Sequence, residues 1–90
     1  MQKKTSKAVA LTYDNKKQRA PKVVAKGKGN IAEKIIDIAR QHDIPLYTDK
    51  NLVQVLEALD LETEIPPELY QAVAEVLAFI YRLNKKILES

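Results

Sequence analysis

The chain has no cysteine, a single histidine, few aromatic residues and no long apolar run among its 90 residues. Each shortage removes a class of function. Without cysteine there is no disulfide framework and no thiolate metal site, which is compatible with a reducing compartment. With His42 alone, a metal centre would depend on scattered carboxylates, so no metal is expected. At a helix C-terminus the imidazole instead fits a structural role beside the helix dipole. No apolar run reaches the roughly 18–20 residues that span a bilayer. The start, "MQKKTSKAVAL", sets basic residues before apolar ones, but the apolar part is too short for a signal peptide. A cytoplasmic location is the expectation.

Acidic residues are also scarce at the start. Residues 1–28 hold nine Lys/Arg against Asp14 alone, a net +8, whereas residues 29–90 hold six Lys/Arg against eleven Asp/Glu, a net −5, which together give the overall +3. A basic segment before an acidic body suggests an edge that meets an anionic partner, or lysines that guard an exposed strand. At 46% hydrophobic and 30% charged, the composition is that of a folded protein, with one domain and a modest core.

Alternation marks Ala8–Tyr13 ("AVALTY") as a strand with Val9, Leu11 and Tyr13 on one face. Asp14–Pro21 reads as a loop, and Lys22–Lys26 as a second strand closed by Gly27 and Gly29. Asn30 with Glu33 suggests an N-cap and capping box for a helix through about His42. Ile44–Thr48 ("IPLYT") reads as a short third strand, and Thr48 or Asp49 as the cap of a second helix with Leu52, Val55, Leu56 and Leu59 on one face. "DLETEI" reads as a connector. Pro67 opens a last helix whose stripe is Leu69, Val73, Val76, Leu77 and Ile80. The expected fold is α/β: a small mixed three-stranded sheet, made of one right-handed parallel βαβ unit plus an extra strand, packed with three helices. So thin a sheet leaves an edge open. The expected division is a flexible basic N-terminus at 1–7, a domain at 8–84 and a frayed tail at 85–90.

Gly27, Gly29 and Ala32 fit the Gly-x-Gly-x-x-Ala form of a dinucleotide-binding turn, with Asp49 near the place of a ribose-binding acid. Only one βαβ unit is present, however, so there is no switch-point crevice, and glycine at a strand–helix corner has a conformational reason of its own. No cofactor is expected. No nucleophile–base pair is visible among Thr5, Ser6, Thr12 and Ser90, and the carboxylates Glu57, Asp60, Glu62, Glu64 and Glu68 read as solvated surface. No enzyme is expected. The basic first third, with Tyr13 or Tyr47 as a stacking platform, admits a small nucleic-acid-binding domain as the alternative. Nucleic acid is nevertheless disfavoured as a partner, because no helix carries a concentrated basic face.

Four runs, "AVALTYD" (Ala8–Asp14), "APKVVAKG" (Ala20–Gly27), "IARQHDIPL" (Ile38–Leu46) and "EIPPELYQAVAEVLAFIYRL" (Glu64–Leu83), together resemble one family. It is the cytoplasmic C-terminal domain of the flagellar export-switch protein FlhB and its YscU-type relatives in type III secretion. The resemblance runs from Ala8 to Leu83, and its last run is the most specific. It implies a domain beside a membrane-embedded export gate that helps switch export between classes of subunit. The implied partners are export substrates and the N-terminal part of a full-length FlhB.

Members of that family cleave themselves at an Asn-Pro-Thr-His loop before the strand that Ala8–Tyr13 matches. Here Lys3, Lys4, Thr5 and Ser6 stand at those positions, and only Thr5 agrees. Lys3 has no amide side chain to cyclise and Lys4 lacks the restriction of proline, so no autocleavage is expected. The chain then corresponds to the family's fragment after the cut. Its strand edge, Ala8, Val9, Ala10, Leu11, Thr12 and Tyr13, is expected to accept a strand from upstream of a partner's cut site. The resemblance also places an export-substrate docking patch at Ala20, Pro21, Ala74 and Leu77, with ordinary loop-to-helix packing as the alternative. Asp49, Lys50 and Asn51 depart from the family, which would have prolines there.

Overall fold

Two strands, β1 (Lys7–Thr12) and β2 (Lys22–Lys28), form an antiparallel hairpin with Lys7 opposite Lys28 and Thr12 opposite Lys22. The register shifts between Ala10 and Leu11, which leaves Val24 of β2 with no residue opposite it, a β-bulge. The computed structural model describes residues 6–89 apart from Asn15 and Gln18, and the backbone alone for 84–89. After the hairpin come α1 (Asn30–Gln41), α2 (Lys50–Glu57), a 3-10 turn (Pro67–Leu69) and α3 (Tyr70–Glu89).

The two faces of the hairpin differ because side chains alternate along each strand. Ala8 and Gly27 are paired, and they face α1. A Cβ added to Gly27 would collide with Ile31 Cγ2 and lie 2.8 Å from Ile31 Cβ, so α1 approaches this closely only because position 27 has no side chain. Ala8, Ala32 and Ala39 are all buried along the same contact. The other face carries Val9, Leu11 and Lys26. There α2 packs on the strands, and Val9 and Leu11 meet a core of Ala20, Leu52, Leu56, Ile65 and Val73.

The Gly27–Gly29 corner is thus a structural device. Gly29 has φ 59° and ψ −126°, a conformation that side-chain-bearing residues disfavour, although a Cβ there would meet open space. Its N–H donates to Ser6 O at 2.7 Å and its carbonyl accepts from Glu33 N–H at 3.1 Å. The N-cap of α1 is therefore Gly29 and not Asn30, and no side chain caps this end. At the other end Ile44 N–H donates to Ala39 O and Asp43 N–H to Arg40 O, with Asp43 at φ 55°. That is a Schellman motif with aspartate at the left-handed position usually held by glycine.

Among the described residues the sheet has two strands, not three, and no parallel βαβ crossover forms. Ile44–Thr48 joins α1 to α2 without entering a ladder. β2 finds its second neighbour elsewhere: Val23 N–H donates to Thr63 O, Glu62 N–H to Val23 O and Ile65 N–H to Pro21 O, with an isolated antiparallel bridge at Lys22–Glu64. The stretch expected to be a connector supplies this contact, and Glu62 turns into it at φ 65°.

Both ends of α2 are held by side chains. Asp49 Oδ1 accepts from the N–H groups of Asn51 and Leu52. At the far end Lys26 Nζ, reaching from β2, donates to the carbonyls of Glu57 and Leu59. A lysine at this pole satisfies orphan acceptors and complements the dipole. Helical backbone continues in α3 to Glu89. No described helix is long and apolar enough to cross a membrane.

Gly27→Ala is expected to destabilise the domain by about 1–3 kcal/mol, because Ile31 has to move off the hairpin. In a thermal-denaturation double-mutant cycle, Ile31→Ala should recover much of that loss. Independent, additive effects would contradict the described contact.

Candidate functional site

Pro21 and Ile65 are tied by the Ile65 N–H to Pro21 O bond at 2.9 Å, and this contact sets the floor of the site. One turn further on, α3 brings up Tyr70, Val73, Ala74 and Leu77 at spacings of three and four, the pattern of a single helix face. The loop from β1 to β2 closes the third side with Tyr13, Arg19 and Ala20. Arg19 is held there because its backbone N–H donates to Glu64 Oε2 at 3.2 Å. Together these residues line an open apolar cavity of about 100 Å³.

Ala20, Pro21, Ile65 and Val73 are buried and form the floor, while Leu77 is half-buried. Tyr13, Arg19, Tyr70 and Ala74 are exposed at the rim. The four positions expected as a patch, Ala20, Pro21, Ala74 and Leu77, thus meet on one cavity. Tyr70 and Val73 could have been added from helical spacing. Arg19 and Ile65 could not, because the pairing of residues 21 and 65 places them.

The second expected element is the β1 edge. Gly29 N–H donates to Ser6 O, so Ser6 and Gly29 form a hydrogen-bonded pair. By antiparallel alternation Ala8 and Ala10 then bond inward to β2, and the backbone groups of Lys7, Val9 and Leu11 turn outward. Among the described residues no strand pairs with that side. Tyr13 lies beyond the end of β1 and lines the cavity instead.

The remaining candidates resolve into structure. Asp49 caps α2, and Gly27 and Gly29 shape the entry to α1. Tyr47 packs edge-on against Phe79 with ring centroids 5.2 Å apart. Glu57 meets Lys7 Nζ at 3.1 Å and Lys28 Nζ at 3.9 Å, so part of the basic first third is answered within the fold. Among the described residues no group of three or more His/Asp/Glu could hold a metal ion. Of the degenerate cleavage positions, Lys3, Lys4 and Thr5 lie outside the described residues, and Ser6 is exposed.

Fold and site define a small α/β domain with an apolar surface cavity and a strand edge that no described residue pairs with. The sequence model of the FlhB HrpN YscU SpaS family matches residues 4–80, and the chain belongs to that family. It is 43% identical over 81 residues to YlqH of Bacillus subtilis, covering 90% of this chain and 87% of that protein. It is 44% identical over 81 residues to the flagellar biosynthetic protein FlhB of Aquifex aeolicus, covering 89% of this chain but 23% of that protein. The cytoplasmic domain of FlhB from Shewanella putrefaciens superposes with a TM-score of 0.80 at 38% identity, covering 83% of this chain and 63% of that one. The PscU C-terminal domain gives 0.77 at 28% identity, over 82% of this chain and 95% of that one.

Floor and rim should respond differently to charge. Ala20, 2% exposed, tolerates no carboxylate, and Ala20→Asp is expected to cost more than about 3 kcal/mol. Ala74→Asp, on an exposed helix position, is expected to cost about 1 kcal/mol or less. Chemical denaturation of the two variants measures the difference, and equal losses would contradict this division of the cavity.

Proposed function

We propose that the protein is a non-catalytic interaction module of a flagellar or related type III protein export apparatus. In this reading it works in the cytoplasm, at or near the membrane-embedded gate, in the place taken by the cytoplasmic domain of FlhB. The single observation that carries the reading is the meeting of Ala20, Pro21, Ala74 and Leu77, from distant parts of the chain, on one apolar cavity. A cavity of that kind suits an apolar segment of an export substrate, and a family member with FlhB's domain fold is a natural host for it.

The outward backbone groups of Lys7, Val9 and Leu11 support a second contact in the same reading. An extended strand from the N-terminal part of a full-length FlhB would pair there, its affinity supplied by main-chain hydrogen bonds. The protein would then substitute for the native C-terminal fragment or compete with it, and so act on the choice of export substrate. Autocleavage has no part in this function, since Lys3 cannot perform the cyclisation expected of asparagine. Intact-mass spectrometry is expected to find a single species after prolonged incubation, and fragments cut near residue 3 would contradict this.

The binding test uses the membrane part of FlhB, truncated after its cut site, as bait for this chain. The expected outcome is a complex at micromolar concentration that survives a rise in salt from about 0.1 M to about 1 M, across which the screening length falls from about 10 Å to about 3 Å. No complex would contradict the strand-addition reading. A complex lost steeply with salt would instead point to phosphate-like, charge-driven binding of the nucleic-acid kind.

A further inference from the structure

The cavity rim carries chemistry that an apolar patch alone does not need. Among the described residues the cations of Lys16, Lys17, Arg19 and Lys22 make no ion pair, although Lys7 and Lys28 in the strands both do. Arg19 itself lines the cavity, and the hydrogen bond from its backbone to Glu64 fixes where its side chain starts. A guanidinium so placed offers several donors in a planar fork, the geometry that matches a carboxylate. Asp14 is the only acid in the same loop, and its Oδ1 already accepts from Lys16 N–H. Glu64 adds a second carboxylate beside the loop, with its Oε2 taken by Arg19 N–H, so what the cavity lining offers an acid is the Arg19 guanidinium, which makes no ion pair among the described residues.

The size of the cavity narrows the other half of the ligand. At about 100 Å³ it is smaller than the roughly 150 Å³ apolar cavity that takes a benzene ring. It suits one branched aliphatic side chain, with the Tyr13 and Tyr70 rings at its rim to flank the chain that carries it.

We infer that the site reads a short protein segment in which an aliphatic anchor, such as leucine, isoleucine or valine, lies within about two residues of an aspartate or glutamate, with Arg19 as the residue that selects the acid. This rests on the docking reading above and adds the chemistry of the occupant. Leu77, Val73 and Ile65 supply the apolar contact, and the basic loop steers the acidic segment inward. A rim charge of this kind acts on partner choice and association rate more than on total affinity.

Random-peptide display against the full chain tests it, run in parallel with Arg19→Glu and Ala74→Asp. The native chain is expected to select aliphatic anchors with a nearby Asp or Glu. Arg19→Glu should keep the aliphatic preference and lose the acidic one. A selected peptide, synthesised and titrated by fluorescence anisotropy, should bind Arg19→Glu about five- to tenfold more weakly in low salt, with the gap closing as salt is raised. Ala74→Asp should abolish binding while its circular dichroism stays native. Peptides that are sensitive to Ala74→Asp but indifferent to Arg19→Glu would overturn the inference and leave the docking reading intact. Aromatic anchors, or a consensus without acid, would also overturn it. Failure to select any peptide would overturn both.

Discussion

A two-stranded hairpin cannot bury itself, and this one is stable only because its two faces are chemically unlike. One face is small: Ala8 and Gly27 lie opposite each other, and α1 comes down until Ile31 rests on the glycine. The other face is branched and long, so Val9 and Leu11 reach a core shared with α2 and α3 while Lys26 reaches the end of α2. With α1 and α2 on opposite faces, the chain between them has to cross an edge. It leaves α1 through the left-handed Asp43 and enters α2 through the Asp49 cap. After α2, Lys26 holds the turn from which the chain runs back along β2, and that return creates the Pro21–Ile65 contact beneath the cavity. The site is a consequence of how the hairpin is clothed.

The relative weights of these contacts follow from their surroundings. The Lys7–Glu57 and Lys28–Glu57 pairs are partly exposed, and such pairs contribute little, about 0–1 kcal/mol each. Lys26 is different in kind. It satisfies the carbonyl of Glu57 at the end of α2 and that of Leu59 in the turn just beyond, both from one half-buried side chain. So short a helix has little stability of its own, so its two side-chain caps and the burial of Leu52 and Leu56 have to hold it.

Much of this was legible in the sequence. Period-two alternation marked the first strand, the run from Lys22 up to the glycines marked the second, helical spacing marked all three helices, and the four runs from Ala8 to Leu83 pointed to the family. What failed depended on partners distant in the chain. Ile44–Thr48 has the apolar character of a strand, yet it finds no ladder, because β2's free side at Val23 is taken by Glu62 and Thr63. Those residues sit in an acidic stretch with no strand character, and their pairing is imposed by the return from α2. Asn30 looked like a cap, but Gly29 reached that position through a conformation that composition cannot reveal. At the cavity, Tyr70 to Leu77 were visible as one helix face, whereas Arg19 was indistinguishable from its basic neighbours until Glu64 fixed its place.

Among the described residues no strand pairs with the outer edge of β1, and the proposed function rests on that edge accepting one. Residue-resolved amide hydrogen exchange on the chain alone, then with the truncated FlhB membrane part, tests it most directly. Val9 and Leu11 amides are expected to exchange rapidly in the free chain, while Ala8 and Ala10 are protected, and Val9 and Leu11 should become protected on binding. Strong protection of Val9 and Leu11 in the free monomer, or no change when the partner is added, would contradict it.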